Sequence, residues 1–275
     1  MVAFSGGVDS SLVALLVHAA FGRGGAVACV GTSPSLPEAQ LALAELVAAG
    51  IGIELWKVPT EEGRLPGYVA NAGEACFHCK TELYGTLERL ARGVRRRAAA
   101  AGRADEVVLF NGTNADDRLD PTRLGLLAAR DFGVASPLAA LPKAEVRAVA
   151  RAQGLPNWDT AAAPCLRSRL QHGVPASAAN MAVVERAEAV ARRRLQLADR
   201  DNLRVRLLHE AAGVLEVDPP HLAAAGDCLR EFRAEFRALG IASLELREFR
   251  SGALSRAPAS TPPGGLARPS GSVAQ

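Results

Sequence analysis

Three cysteines, Cys76, Cys79 and Cys165, carry the side chains in this sequence best suited to bond-making chemistry. The first two form a C-x-x-C pair in EACFHCKTELY, residues 74–84, with Lys80 directly after; the third lies in TAAAPCLRSRL, residues 160–170. A zinc site built on C-x-x-C needs a second pair of Cys or His ligands at suitable spacing. No second C-x-x-C exists in the chain, and His78, between the two cysteines, would point elsewhere. A thioredoxin-like redox pair would sit at a helix start in a different βαβ pattern and would leave Cys165 unexplained. Three thiolates brought to the mouth of a nucleotide site instead suit an iron–sulfur cluster with one iron left open. Cys29, in a strand candidate, and Cys228, on a helical stretch, are read as buried or incidental thiols.

A nucleotide site is expected from SGGVDSS, residues 5–11, placed between an apolar run and a helical pattern. Gly6 and Gly7 allow backbone conformations in which consecutive N–H groups point into one concavity. Ser5, Ser10 and Ser11 add hydroxyls, and the positive end of the following helix lies behind them. The Gly-Lys-Ser/Thr ending of a Walker loop and the third glycine of the dinucleotide fingerprint are both missing. Asp9 would repel a bare phosphate, so magnesium is expected as a bridge. A second polar turn, NGTNADD at residues 111–117, follows the apolar run VVLF. There Gly112 and Thr113 could approach the nucleotide, and Asp116 or Asp117 could hold the metal; a polar turn with an Asx cap is the plainer reading. The stretch continues through Asp120 and Arg123 to a helical pattern at 143–153 ended by Gly154 and Pro156.

These residues need a frame that brings distant turns together. Residues 2–4, 26–31, 51–58 and 107–110 read as strands, and 10–20, 37–50 and 80–96 as helices. Strands alternating with helices imply βαβ units in a doubly wound, mostly parallel sheet with Rossmann-like connections, and ligands then lie beyond the carboxyl ends of the strands. Each turn above falls at such an end. Further on, 178–196 and 226–240 read as helices and 202–210, 213–218 and 243–249 as strands, which makes a smaller C-terminal α/β unit.

Composition excludes whole classes of function. The 275 residues are 49% hydrophobic and 22% charged, as in ordinary globular proteins, and no apolar run reaches membrane-spanning length. No membrane partner is therefore expected. A net charge of +3 gives no broad basic face for nucleic acid, and Arg95–Arg97 reads as a solvated helix face. Five cysteines, odd and sparse, make no disulfide framework and point to a reducing compartment. With no room for a targeting segment before VAFSGG, a cytoplasmic location and a shortened amino terminus are expected. The Pro-, Gly- and Ser-rich stretch at 251–275 reads as a disordered tail.

SGGVDSS resembles the signature of the PP-loop ATP pyrophosphatases, of the HUP-like fold group, which bind ATP there, attach AMP to a substrate oxygen and release pyrophosphate. That string, with CFHCKTELY, NGTNADD, SPLAALPKAEVRAVARAQGLPNWD, APCLRSRL, RVRLLHEAAGVLEV and FRSGALS in this order, resembles the LarE family of ATP-dependent sulfur transferases over roughly residues 1–255. The resemblance implies residues 1–158 as the PP-loop domain, 159–174 as a cysteine-bearing linker loop and 175–250 as a substrate-side domain. It implies adenylation of a carboxylate of a pyridinium dicarboxylate mononucleotide, then displacement of AMP by sulfur to give a thiocarboxylate, in nickel-pincer nucleotide cofactor biosynthesis. In one branch of the family the cysteine at the position of Cys165 gives up its own sulfur. In the other, cysteines matching Cys76, Cys79 and Cys165 hold a [4Fe–4S] cluster whose open iron carries a transferable sulfide, and this sequence has all three. Arg204 and Arg206, spaced to face one side of a strand, match the family's phosphate-contacting pair, and Lys80 is expected to join them; a surface or cross-strand charge role is the plainer alternative for any one arginine. HEAAG after RVR and DPTRLG at 120–125 depart from the family pattern. A homo-oligomer is expected, with the mononucleotide as partner. A PP-loop enzyme that thiolates RNA and a non-catalytic nucleotide- or cluster-binding protein remain as alternatives.

Overall fold

The computed structural model describes residues 1–119 and 124–250, so Asp120, Arg123 and the 251–275 stretch lie outside the described residues. The elements run β1 (Val2–Phe4), α1 (Val8–Phe21), β2 (Val27–Thr32), α2 (Glu38–Ile51), β3 (Glu54–Pro59), α3 (Pro66–Val69), α4 (Ala75–Ala100), α5 (Ala115–Leu119), α6 (Gly125–Asp131), α7 (Lys143–Ala152), α8 (Ala178–Arg194), β4 (Leu203–Leu207), β5 (Ala212–Val217), α9 (Leu222–Asp227), α10 (Leu229–Ala238) and β6 (Ser243–Glu248). The fold is α/β, with a parallel N-terminal sheet and a smaller mixed C-terminal sheet.

β1, β2 and β3 pair in parallel in that order, through registers such as Phe4 with Val30 and Cys29 with Trp56. On the other side of β1, single parallel bridges join Val2 to Phe110 and Phe110 to Ala135. The order across the layer is thus β3, β2, β1, the Phe110 segment, the Ala135 segment. The connections reverse direction at β1, and the crevice beside it is where doubly wound sheets bind ligands. Residues 107–110, expected as a strand, form single bridges at Phe110, flanked by Met1 donating to Val108 O (2.8 Å) and Ala135 donating to Leu109 O (2.8 Å).

Two cores flank this sheet. One packs Leu12, Val13 and Val17 of α1 and Val47 of α2 against Val2, Phe4 and Val146. The other places Tyr84 and Leu87 of α4 and Ala128 of α6 against Cys29, Val58 and Leu109. A third core belongs to the second sheet, in which β4 and β5 are antiparallel and β5 and β6 parallel. Its centre is Leu203, Val205, Leu215, Phe232 and Phe236, and it also takes in Tyr68 and Ala75 from the first half and Leu166, Leu170 and Val174 from the 159–174 segment. Asn71, fully buried and at φ +51, fastens these parts by donating to the carbonyls of Gln171 (2.9 Å) and Val174 (3.0 Å).

Candidate active site

The SGGVDSS turn lies at the start of α1, with Gly7 as its N-cap. Gly6 has φ +72 and touches α2 so closely that a Cβ would stand 2.8 Å from the Cα of Ala44. Ser10 and Ser11 donate back to the Gly7 carbonyl at 3.0 and 2.9 Å, and the Ser5 amide donates to Ser10 Oγ at 3.1 Å. Two buried amide side chains hold the turn from outside. Asn157 Nδ2 donates to Gly6 O (2.7 Å) and Ser11 Oγ (2.9 Å), and Gln40 Nε2 donates to Ser5 O (2.6 Å). Amides tied to carbonyls on the loop's outer side leave its N–H groups at the helix start for an anion.

NGTNADD meets this turn, as the sheet order requires. A Cβ on Gly112 would lie 2.6 Å from the Ser10 amide nitrogen, so only glycine lets the two backbones approach this far. Thr113 donates its amide to Asn111 Oδ1 at 3.1 Å. Asn114 caps α5 by accepting from the Asp117 amide (3.0 Å), while Asp117 Oδ2 accepts from the Asn114 amide (3.3 Å); Asp116 Oδ2 caps α7 through the Lys143 amide (3.1 Å). The Asx cap and the close approach to the SGGVDSS turn therefore coexist. Asp9 accepts from Asn114 Nδ2 at 3.1 Å and forms an ion pair with Lys143 Nζ. Lys143, which reads in the sequence only as the start of a helix, thus brings a cation to Asp9 in the SGGVDSS turn. Its one sequence signal is its place after Pro142, at the first turn of α7.

Cys76 and Cys79 lie not in a loop but in the first turns of α4, three residues apart and hence on one face. Cys165 precedes the 3-10 turn Leu166–Arg169, whose Leu166 amide donates to Ser35 O at 2.8 Å and so ties this segment to the end of β2. The three thiols share one electrostatic neighbourhood. Burial pushes Cys79 up to about 12, with Cys165, Glu62 and Cys76 adding to the rise and Lys80 opposing it. Burial works against the charge of Lys80, but Tyr84, Cys79, Cys165 and Cys76 outweigh it and raise its pKa. The five cysteines form no disulfide with one another. Among the described residues, no three His, Cys, Asp or Glu side chains converge as ligands of a single metal ion. Glu62, buried between the ends of β2 and β3, accepts from Ser33 Oγ (2.5 Å) and Ser35 Oγ (3.2 Å).

A group of buried arginines follows Cys165. Arg169 pairs with Glu188 (3.0 Å) and Arg206 with Glu216 (3.0 Å) while also donating to Ser168 O (3.0 Å). Arg204 donates to the carbonyls of Leu203 (2.6 Å) and Ala162 and lies 5.4 Å from the Phe249 ring. Burial, then the like charge of Arg169, pulls Arg204 down to about 10. Arg204 and Arg206 are both buried in β4, not on an open strand face, while Lys80 stands apart from them beside the thiols.

No family model matches the chain. It is 35% identical over 264 residues to the uncharacterized protein slr1717 of Synechocystis, covering 93% of this chain and 91% of that protein. It is 28% identical over 267 residues to the pyridinium-3,5-bisthiocarboxylic acid mononucleotide synthase of Lactiplantibacillus plantarum, covering 92% and 88%. A solved structure of a predicted tRNA methyltransferase subunit from Methanocaldococcus jannaschii matches 56% of this chain and 86% of its own at 17% identity, but its TM-score of 0.30 is too low to carry an argument.

Proposed function

The chain belongs to the same family as the Synechocystis protein slr1717, and within that family we propose an ATP-dependent sulfur transferase that converts a carboxylate of a pyridinium dicarboxylate mononucleotide into a thiocarboxylate. The observation that supports this reading is the packing of the NGTNADD turn on the SGGVDSS turn through Gly112, at the carboxyl end of β1, with the cysteine-bearing 160–170 segment tied by Leu166 to Ser35 just beyond β2. The full-length similarity to the Lactiplantibacillus synthase supports the substrate class.

A carboxylate is a poor electrophile because an oxide cannot leave; joining it to AMP makes that oxygen a leaving group. The amides at the start of α1 and Lys143 would bind the departing pyrophosphate. Asp9 fits a magnesium ion delivered with ATP, since Mg²⁺ is held by one or two carboxylates together with substrate phosphates; Asp116 and Asp117, engaged as caps, are the outer candidates. Arg204, a buried cation with backbone carbonyls and an aromatic ring as partners, suits the phosphate of the mononucleotide, with Arg206 beside it and Lys80 at the thiol end.

The donor set formed by Cys76, Cys79 and Cys165 fits a [4Fe–4S] cluster, because three thiolates leave one iron open and the nearby Lys80 opposes their charge. Such a cluster would supply a nucleophilic sulfide. The test is anaerobic incubation of the protein with ATP, magnesium and the mononucleotide, followed by mass spectrometry of the small molecules. Exchange of one carboxyl oxygen for sulfur is expected; an acyl-adenylate or unchanged substrate, with sulfur present in the protein, would overturn the reading.

A further inference from the structure

Among the described residues, Arg167 is the arginine of the cysteine segment whose charge has no carboxylate partner. The residue is only 8% exposed, yet no described Asp or Glu lies within ion-pair distance of it, whereas its neighbours Arg169 and Arg206 each pair with a glutamate, Glu188 and the buried Glu216. Its partners are the side-chain oxygen of Asn71, at 3.3 Å, and the sulfur of Cys76. A guanidinium presents five N–H donors in a planar fork, and these two contacts use one donor on each terminal nitrogen. Burying an always-charged group among neutral or weakly accepting partners is costly, so a fold that keeps it there has a use for an anion at that point.

The place of Arg167 narrows the choice of anion. It follows Cys165 by two residues, touches Cys76 and feels Cys79 and Tyr68, so whatever pairs with it lies among the three thiols where sulfur is transferred. A planar, two-oxygen acceptor matches the fork best. Resting on the substrate class proposed above, we propose that Arg167 is a specificity-determining residue that pairs with the second carboxylate of the acceptor, the one that stays anionic while its partner is adenylated. The pairing holds the pyridinium ring with the activated carboxyl toward the sulfur and discriminates a dicarboxylate from a monocarboxylate. An N–H···S contact to Cys76 is compatible with it, because the two contacts use different N–H groups.

The experiment is calorimetric binding of pyridinium dicarboxylate mononucleotide and of nicotinic acid mononucleotide to the full chain, in the presence of a non-hydrolysable ATP analogue, for wild type, Arg167→Ala and Arg167→Lys. Wild type is expected to prefer the dicarboxylate by about 10- to 100-fold, the worth of a charged hydrogen-bonded pair. Arg167→Ala should lose that preference while binding the monocarboxylate and the ATP analogue as before, and Arg167→Lys should recover part of it. Equal weakening of both mononucleotides in Arg167→Ala, or a preference that survives the substitution, would overturn the assignment. A wild type that binds the ATP analogue and both mononucleotides without preference would also overturn it, leaving the sulfur-transferase reading standing; one that binds the analogue but neither mononucleotide would refute both.

Discussion

At Gly112 the distances leave no room for any other residue. A Cβ would come 2.6 Å from the Ser10 amide nitrogen and 2.8 Å from the carbonyl carbon of Asp9, both backbone atoms at the start of α1. Gly112→Ala is expected to cost about 1–3 kcal/mol of stability by overpacking and to reduce the stabilisation that ATP gives, which urea denaturation with and without ATP would measure. Arg204 makes a different kind of prediction. Burial of its charge pulls its pKa on folding from the ordinary arginine range down to about 10, so above that value the unfolded chain binds the extra proton. The penalty is fully present below pH 10 and is relieved as the pH rises above it. Arg204→Gln should therefore stabilise the ligand-free protein most near neutral pH, with the difference shrinking above pH 10, and inorganic phosphate should raise the melting temperature of wild type more than that of the variant. The family resemblance singled out Arg204 with Arg206, but not the depth of its burial, which depends on Ala162 and Phe249 far along the chain.

Among the elements, α4 departs most from its expected span. Helical periodicity is clear from residue 80, yet the helix begins at Ala75, because Ala75 is drawn into the core of the second sheet while Tyr84 and Leu87 serve the first. A chain read locally gives no sign of a helix that belongs to two cores. This placement puts Cys76 and Cys79 on one helical face toward Cys165, and it makes the cluster testable at this scale. Anaerobically reconstituted protein should carry iron and acid-labile sulfide at about four of each per chain, and Cys76→Ala should lose both. Iron-free wild type would refute the cluster, and loss of sulfur from Cys165 after turnover would then identify the sacrificed thiol. The NGTNADD turn was legible because strand-end position follows from βαβ alternation. Lys143, Asn157 and Gln40 were not, since each acts on the SGGVDSS turn across a distance that only the packed sheet defines.

In the whole molecule, the two halves meet where the chemistry is proposed. The 65–76 and 166–174 segments join the core of the second sheet, Asn71 fastens one to the other, and Leu166 binds Ser35 beyond β2, so cysteines nearly ninety residues apart share one neighbourhood near the carboxyl end of β2. The α/β class and the place of the SGGVDSS turn between β1 and α1 could be read from the sequence, because glycine spacing and hydrophobic period are local. The mixed pairing of β4, β5 and β6 could not, since strand direction depends on crossovers that no single stretch encodes. No helix among the described residues is long and apolar enough to cross a membrane. The central claim is that this assembly activates a carboxylate with ATP, and the most direct measurement is pyrophosphate release under anaerobic conditions with and without pyridinium dicarboxylate mononucleotide. Release that depends on the mononucleotide, equals the AMP formed and falls by about 100-fold or more in Lys143→Met is expected. Release that is indifferent to the mononucleotide, or formation of ADP and phosphate instead, would contradict it.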